Sequence, residues 1–277
     1  MSLPTRILVK SAEKMAFALC QHRDCAAVRS VHKAFTAFKY RFENVDFNFN
    51  TNGEKRILQR LAVTKPATIF DVGANTGDYS LLASQLVPSA TIHAFEPLPS
   101  TFDILKKTLA GTSRVRLNNF GLGAREQLVQ LHHRGGGDVT ASAFPLESDS
   151  QGEAPAQITS VRIVRGDDYV KSAAVPKVDF LKIDVEGMEY EVMKGFGGFL
   201  ANHVDCVQFE YGVFNIASHY LLRDICGLLS EEGFAVGKVF PRFVEFFDYH
   251  FTREDFLGNN FVAVRRERKD LIQLLAR

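Results

Sequence analysis

Acidic residues follow several apolar runs of this sequence, at the points where each run gives way to a turn. The first run ends around Asp71, and the turn after it holds Gly73, Asn75 and Gly77. Glycines let a backbone approach a nucleotide closely, and a helix that begins after such a turn presents free N–H groups to a carboxylate or phosphate. Residues 69–80 therefore predict a nucleotide-binding turn between a buried strand and a helix.

The glycine spacing and the acidic residue of this turn favour a cationic ligand over a dinucleotide. A dinucleotide fingerprint reads Gly-x-Gly-x-x-Gly, whereas three residues separate Gly73 from Gly77 here and Asp71 precedes them. A carboxylate repels a pyrophosphate, but it attracts the ammonium and sulfonium groups of S-adenosylmethionine. The turn therefore predicts S-adenosylmethionine as the cofactor, with the carboxylate of that ligand at the helix N-terminus.

A second apolar run ends at Phe95 and is followed by Glu96 and Pro97. A carboxylate at this position can accept hydrogen bonds from both ribose hydroxyls of an adenosine. In a parallel sheet the ends of the two strands would flank the same crevice, so Glu96 and Asp71 together predict the donor site more strongly than either does alone. The alternative is a solvated glutamate before a proline turn.

A third run, residues 178–187, alternates ionisable and apolar side chains. With a two-residue period, Lys182, Asp184 and Glu186 would share one face of a strand. Because burying an unpaired lysine is costly, we expect Lys182 to pair with a carboxylate such as Asp184. A purely structural ion pair is the alternative to a catalytic role.

Transfer of a methyl group from this cofactor requires alignment of an acceptor atom with the methyl carbon and, where that atom carries a proton, a base near it. The candidate catalytic residues are Asp184 first, then Glu186, Lys182 beside them and, at the end of another strand, Glu210. Four histidines are alternative bases: His132, His133, His219 and His250. No metal-ligand motif is visible in the sequence, and we expect no bound metal.

Composition and charge narrow the function classes. A formal net charge of +1 gives no general attraction to nucleic acid or to an acidic membrane. Four scattered cysteines indicate reduced thiols rather than a disulfide framework. The apolar run at residues 15–20 has charges too close on both sides for a secretion signal or a membrane span. We therefore expect a cytoplasmic protein, and leave a homo-oligomer open.

The order of the apolar runs predicts an α/β fold with a mostly parallel central sheet. Residues 1–65 predict a helical N-terminal segment, and residues 66–277 the nucleotide-binding domain. Strands are expected at residues 45–50, 68–72, 90–95, 114–117, 178–185, 204–209, 234–240 and, at or near the sheet edge, 261–264. Helices are expected at residues 54–61 and 219–229, and an excursion with small strands spans residues 127–155. Its loop from residue 134 to residue 155 is a candidate lid or acceptor-binding element.

Four motifs together resemble the FkbM-type methyltransferase family. They read FDVGANTG at residues 70–77, FEP at 95–97, NFGLG at 119–123, and KIDVEG at 182–187 followed by Lys194-Gly195. The resemblance implies a class I, Rossmann-like methyltransferase fold that binds S-adenosylmethionine through Asp71, Gly73, Asn75 and Gly77. It also implies Glu96 at the ribose, Asn119 beside the adenine, and O-methylation of a polyketide, sugar or related small-molecule acceptor.

The chain departs from the family pattern at Arg165, where a hydrophobic residue usually precedes the acidic pair Asp167 and Asp168. We expect Asp167 to cap a helix. Two other functions stay open: a non-catalytic nucleotide-binding scaffold, and an NAD-dependent oxidoreductase, which the missing third glycine disfavours. The neutral net charge disfavours an RNA methyltransferase.

Overall fold

A computed structural model describes residues 3–144 and 157–277. The chain divides into two compact units, Met1–Val45 and Asp46–Arg277. The first unit contains helices α1 (Leu3–Cys20) and α2 (Ala26–Phe42), so the N-terminal segment is helical as expected. No described helix combines the length and the apolar character that a membrane crossing requires.

The second unit begins at Asp46, well before the boundary expected near residue 65. The reason is helix α3 (Glu54–Ala62), which buries Ile57, Leu58 and Leu61 in the same hydrophobic cluster as the strands that follow. Burying these side chains removes apolar surface from water, and this holds α3 in the nucleotide-binding unit.

The described strands form an eight-stranded sheet and a three-stranded sheet. The strands are β1 (Thr68–Val72), β2 (Thr91–Phe95), β3 (Val115–Asn118), β4 (Gly121–Gly123), β5 (Gln127–His133), β6 (Gln157–Arg165), β7 (Val178–Ile183), β8 (Val204–Tyr211), β9 (Phe234–Val239), β10 (Val244–Phe247) and β11 (Asn259–Arg265). The large sheet has the order β10-β9-β11-β8-β7-β1-β2-β3. Because β3, β2, β1, β7 and β8 run parallel, their carboxyl ends meet at one edge.

Helices cover both faces of the large sheet. Besides α3, the helices of the second unit are α4 (Asp78–Leu86), α5 (Pro99–Thr108), α6 (Gly166–Ser172), α7 (Glu189–Gly195), α8 (Gly198–His203), α9 (Phe214–Ser218), α10 (Leu222–Glu231) and α11 (Lys269–Leu275). One core cluster packs the strands against α6, α7, α8 and α10, and the other packs them against α3, α4 and α11. The expected α/β architecture with a mostly parallel central sheet is confirmed.

The three-stranded sheet has the order β4-β6-β5. Its strands β5 and β6 pair antiparallel, so the small strands expected in the excursion are present. The candidate lid between them is described only over residues 134–144. Its remaining part, residues 145–155, lies outside the described residues.

Three local expectations were wrong. Residues 45–50 form no strand, because the side chains of Asp46 and Asn48 accept hydrogen bonds from backbone N–H groups two residues on. Strand β11 does not end the sheet but runs antiparallel between β8 and β9, and the shorter β10 forms that edge. Asp167 does not cap α6, because it lies inside the first turn and pairs with Arg165 at 2.6 Å.

Candidate functional site

The turn after β1 is fixed by backbone contacts to both neighbouring strands. The N–H groups of Gly73 and Ala74 donate to the carbonyl oxygen of Phe95, over 3.0 Å and 2.9 Å. Gly73 has φ +86°, and a Cβ built there would lie 1.8 Å from the carbonyl oxygen of Asp184. Only glycine fits this approach. The ends of β1, β2 and β7 are therefore held together at the sheet edge.

Glu96 lies beside this turn and is buried. One carboxylate oxygen accepts the N–H of Asn75 at 3.1 Å, and the other accepts the N–H of Leu98 at 2.8 Å. Burial raises the pKa of Glu96 to about 7, although these two hydrogen bonds oppose the shift. Each oxygen keeps one further lone pair, which is the acceptor capacity that two ribose hydroxyls would use.

Asn119 and residues 134–144, the described part of the candidate lid, also lie at this turn. The side-chain amide of Asn119 donates to the carbonyl oxygens of Glu96 and Pro97, at 2.9 Å and 3.2 Å. The amide of Asn75 donates to the carbonyl oxygen of Asp138 at 3.3 Å, and its own Oδ1 is buried with no hydrogen bond among the described residues.

The same loop also reaches the end of β7. The hydroxyl of Ser142 donates to the carbonyl oxygen of Glu186 over 2.7 Å, and the N–H of Gly137 donates to Thr101 at the start of α5 over 3.0 Å. Residues 134–144 thus bridge the two strand ends that carry the candidate side chains.

Asp71 and Lys182 lie side by side in the sheet and face α4. Asp71 is fully buried, and its Oδ2 accepts a hydrogen bond from Ser80 at 2.6 Å. Lys182 Nζ is 3.8 Å from the other Asp71 oxygen and donates to Asp184 at 2.9 Å. Its expected pairing with a carboxylate is therefore confirmed. Burial disfavours the charge on Lys182, but attraction to Asp184, Asp71 and Glu54 outweighs burial and raises its pKa.

Glu186 does not continue the alternation of β7, because the strand ends at Ile183 and Glu186 adopts a left-handed φ of +51°. Its carboxyl group nevertheless lies within the field of Asp184 and Glu189. Burial first, and then these two charges, raise the pKa of Glu186 to about 9. The Glu189 carboxylate accepts the N–H groups of Val185 and Gly187, at 3.1 to 3.2 Å, and thereby holds the turn.

Glu210, near the carboxyl end of β8, belongs to the same group of carboxyls. Burial raises its pKa well above the usual range, and the charges of Asp184 and Glu186 raise it further. Asn260 of β11 lies directly opposite Glu210 in the sheet. The edge at β7 and β8 therefore collects more acidic groups than cations, an arrangement that favours a cationic ligand.

A buried polar network beside these carboxyls was missed by the sequence analysis. Gln208 donates to Glu54 at 2.6 Å and to Asn260 at 3.1 Å, and Asn260 donates to Glu54 at 3.2 Å. Asn52 donates to Glu54 at 2.7 Å. A signal was present, since Gln208 and Glu210 interrupt an apolar strand with a two-residue period; the partners lie too far away in sequence to be paired without the sheet order.

Three buried polar atoms of this region have no hydrogen-bond partner among the described residues: Asp71 Oδ1, Tyr79 Oη and Gln208 Oε1. The Tyr79 ring lies under Lys182 Nζ, 4.9 Å from the ring centroid. With the orphaned Asn75 Oδ1, acceptor atoms predominate, and they fit a ligand that brings cationic and hydroxyl groups. The residues present therefore fit S-adenosylmethionine.

The alternative bases are placed differently. His133 is buried and bonded to Thr159 within the small sheet, and His250 caps a 3-10 turn through its ring nitrogen. His219 is an exposed residue at the end of α9, while His132 pairs through its backbone with Ser142. Over residues 3–144 and 157–277, no group of three or more His, Cys, Asp and Glu side chains is arranged to hold a metal ion.

Comparison with known proteins gives the family. The model of the Methyltransferase FkbM domain matches residues 71–236. The chain is 28% identical over 183 residues to the hexuronic acid methyltransferase AglP of Haloferax volcanii, covering 65% of this chain and 69% of the relative. It is also 28% identical to the 2-O-methyltransferase NoeI of Sinorhizobium fredii, covering 69% of this chain and 81% of that relative.

A solved structure, the methyltransferase FkbM from Methylobacillus flagellatus, is 15% identical with a TM-score of 0.47, and covers 72% of this chain and 44% of that one. The family match includes the β1 turn, Glu96 and the run from Lys182 to Gly187. Since it extends over more than half of the sequence, this chain belongs to the FkbM methyltransferase family and is an S-adenosylmethionine-dependent enzyme.

Proposed function

We propose that the protein transfers the methyl group of S-adenosylmethionine to a hydroxyl oxygen of a carbohydrate or related small molecule. The observation that carries this proposal is that two sets of polar side chains, each at the ends of neighbouring strands, lie at the same edge of the sheet. Glu96 and Asn75 supply acceptor atoms at β1 and β2, and Asp184, Glu186 and Glu210 supply carboxyls at β7 and β8.

The donor is assigned to the β1–β2 side of the edge. Glu96 would hold the ribose hydroxyls, with Asn75, Gly73, Gly77 and Asn119 shaping the turn around them. Asp71 would act indirectly, because it is buried beneath the turn and its contacts are Ser80 and Lys182. We assign Asp71 and Lys182 positioning roles.

Asp184 is proposed as the base that takes the proton from the acceptor hydroxyl. Its side chain is about one third exposed, at 36%, so a substrate can reach it, and Lys182 fixes it from below at 2.9 Å. S-adenosylmethionine supplies the methyl group on a sulfonium, which becomes a neutral thioether on transfer. The acceptor oxygen gains the methyl group, and its proton passes to the Asp184 carboxylate.

The pKa of Glu186, raised to about 9, keeps its carboxyl group protonated near neutral pH, so it cannot take up the proton of the acceptor, and burial raises the pKa of Glu210 in the same direction. As neutral groups they can donate a hydrogen bond to a substrate oxygen. A bound cation would favour their ionised forms. The ionisation of these two residues would thus depend on the charge of the bound ligand.

The acceptor is assigned to the β8–β11 side, and its chemistry is read from the polar network there. Glu54 and Gln208 are buried and hydrogen-bonded with Asn260, which lies opposite Glu210, so this side of the edge is polar where an apolar acceptor would need apolar contacts. A polyhydroxylated acceptor fits such a lining. The names of the two relatives, one acting on hexuronic acid and one a 2-O-methyltransferase, support the same class.

The proposed location is the cytoplasm. All four cysteines are free thiols, and two of them, Cys206 and Cys226, are buried without a disulfide partner. Free thiols suit a reducing compartment.

The test is product analysis with a panel of sugars, uronic acids and small alcohols as acceptors. We expect S-adenosylhomocysteine to form only with hydroxylated acceptors, and mass and NMR spectra to place the new methyl group on oxygen. Methylation of nitrogen, or donor binding without turnover on any acceptor in the panel, would contradict the proposal. Binding of NADH in place of the donor would contradict it as well.

A further inference from the structure

The near-neutral net charge of the whole chain conceals two oppositely charged parts. Residues 1–45 contain eight Lys and Arg against three Asp and Glu, while residues 46–277 contain 25 against 29. The excess of cations is concentrated in the two helices of the first unit. Clustered, uncompensated cations of this kind attract anionic surfaces, even when the net charge of the protein does not.

Helix α2 places these cations beside an apolar stripe. Val28, Val31, Phe35, Phe38 and Phe42 recur at intervals of three and four residues. At 100° per residue they fall within about 80° of the helix circumference. Lys39 and Arg41 flank this stripe, while Arg29 and Lys33 lie on the opposite face.

The stripe is exposed. No residue of α2 is buried, and Phe35, Phe38 and Phe42 keep 69%, 67% and 68% of their surface accessible. The rings of Phe38 and Phe42 stack on each other at 6.0 Å, so they form one continuous surface. An isolated exposed phenylalanine needs no explanation, but three on one helix face indicate a surface that is covered by something.

We propose that α2 binds the surface of an anionic lipid bilayer, lying in the plane of the interface with Phe35, Phe38 and Phe42 among the acyl chains. Amphipathic helices with aromatic and aliphatic residues on one face and Lys and Arg on the other bind membranes in this way. Lys39 and Arg41 are placed to reach the lipid phosphates, because long basic side chains extend from the edge of an apolar stripe to the headgroups. The helix lies on the membrane and does not cross it.

Charge complementarity decides between this occupant and a second copy of the chain. Helix α2 contains no Asp or Glu at all. Two copies packed in parallel through their stripes would bring Lys39 and Arg41 of both helices together with no acidic residue of α2 between them, and like charges at such flanking positions are destabilising. An anionic bilayer satisfies the cations and the phenylalanines together, whereas the backbone of double-stranded RNA would satisfy only the cations.

The test is co-sedimentation of the full chain with phosphatidylcholine vesicles, with and without phosphatidylglycerol. We expect binding only to the anionic vesicles, and weaker binding at high salt. The variant Phe35→Ser/Phe38→Ser should lower the partition coefficient at least about tenfold. The variant Lys39→Gln/Arg41→Gln should lower it by roughly fivefold for each charge removed.

Matched controls separate this surface from general effects. Phe251→Ser removes an equally exposed ring, 70% accessible, from the second unit, and Lys106→Gln/Lys107→Gln removes two cations from α5. Both should leave vesicle binding unchanged. Because all of these substitutions are at exposed residues, each variant should keep the wild-type unfolding temperature.

Three results would overturn the proposal. The first is equal binding to neutral and anionic vesicles, or binding that the Phe35→Ser/Phe38→Ser variant keeps. The second is a wild-type dimer, seen by light scattering, that this variant converts to a monomer while no vesicles bind. The third is salt-sensitive retention of single-stranded RNA without vesicle binding.

Discussion

The two sides of the sheet edge are built by different means. The β1–β2 side is made mostly of backbone, since the turn from Gly73 to Gly77 and the N–H groups of Asn75 and Leu98 set its shape. The β7–β8 side is made of side chains, with Lys182 among several buried carboxyls and the unpartnered Gln208 Oε1. Under the proposed function, the backbone frame holds the donor and the side chains act on the acceptor.

The largest effect should come from the β7–β8 side. Asp184→Asn removes the proposed base but keeps the shape of the side chain, so we expect turnover to fall by about 10²- to 10⁴-fold. The dissociation constant of S-adenosylmethionine should change little. Single-turnover kinetics with the acceptor found by screening would measure this, with Asp103→Asn on the exposed face of α5 as the control. Normal turnover in Asp184→Asn would remove Asp184 from the mechanism.

The backbone frame of the β1–β2 side can be broken at Gly73. In Gly73→Ala the new Cβ would meet the Asp184 carbonyl oxygen at 1.8 Å, at a φ of +86°. We expect a loss of about 3 kcal/mol or more in the free energy of unfolding, measured by denaturant titration. Gly111→Ala is the matched control, because Gly111 has φ +79° and nothing within 4 Å. It should cost only about 1 kcal/mol; equal losses in both variants would refute the close-approach argument.

A smaller effect is expected for Glu96→Gln, which removes the charge of the proposed ribose acceptor. Hydrogen bonds to a charged group contribute about 1.5 to 3 kcal/mol, so donor affinity should fall by roughly 10- to 100-fold. Titration calorimetry measures this, and Glu231→Gln at the end of α10 is the control. An unchanged dissociation constant would show that Glu96 serves the fold alone.

The buried carboxyls also predict a pH dependence of stability. The folded pKa values of Glu186, about 9, and of Glu96, about 7, exceed the usual value of 4.5. Because the folded protein holds these protons more tightly than the unfolded chain does, each group contributes to the free energy of unfolding. That contribution is fully present below about pH 4.5 and is lost as the pH rises through the folded pKa, by up to about 1.4 kcal/mol per pH unit for each group. Stability of the ligand-free protein should therefore fall between about pH 5 and pH 9, and less steeply in Glu186→Gln. A stability that rises over this interval would contradict the burial of these groups.

The sequence predicted those features of the molecule that depend on residues close together in the chain. The strands β1, β2, β7 and β8 are short apolar runs that end at polar turns, and their residues alone indicate the edge at which the site is assembled. The turn at Gly73 was equally visible, because its conformation depends on adjacent residues. The pairing of Lys182 followed from the cost of burying a single charge.

The remaining features depend on contacts between distant residues. Glu54, Gln208 and Asn260 meet only because α3 packs on the sheet and β11 inserts beside β8. The sequence contains no pairing signal for residues so far apart. Asp167 was misread because a helix-capping residue and an ion-pairing residue look alike in sequence, and the nearby Arg165 decides between them.

The most direct test of the account is titration of the wild-type protein with S-adenosylmethionine and with S-adenosylhomocysteine at several pH values between about 6 and 9. The two ligands differ in the sulfonium charge, so the comparison isolates the attraction of the acidic edge. We predict that the affinity for S-adenosylmethionine rises with pH and that its binding releases protons, because the cation favours the ionised form of Glu186. We predict a weaker dependence for the neutral thioether and a reduced difference between the ligands in Glu186→Gln. Equal affinities with no pH dependence for either ligand would contradict the claim that this edge selects a cationic methyl donor.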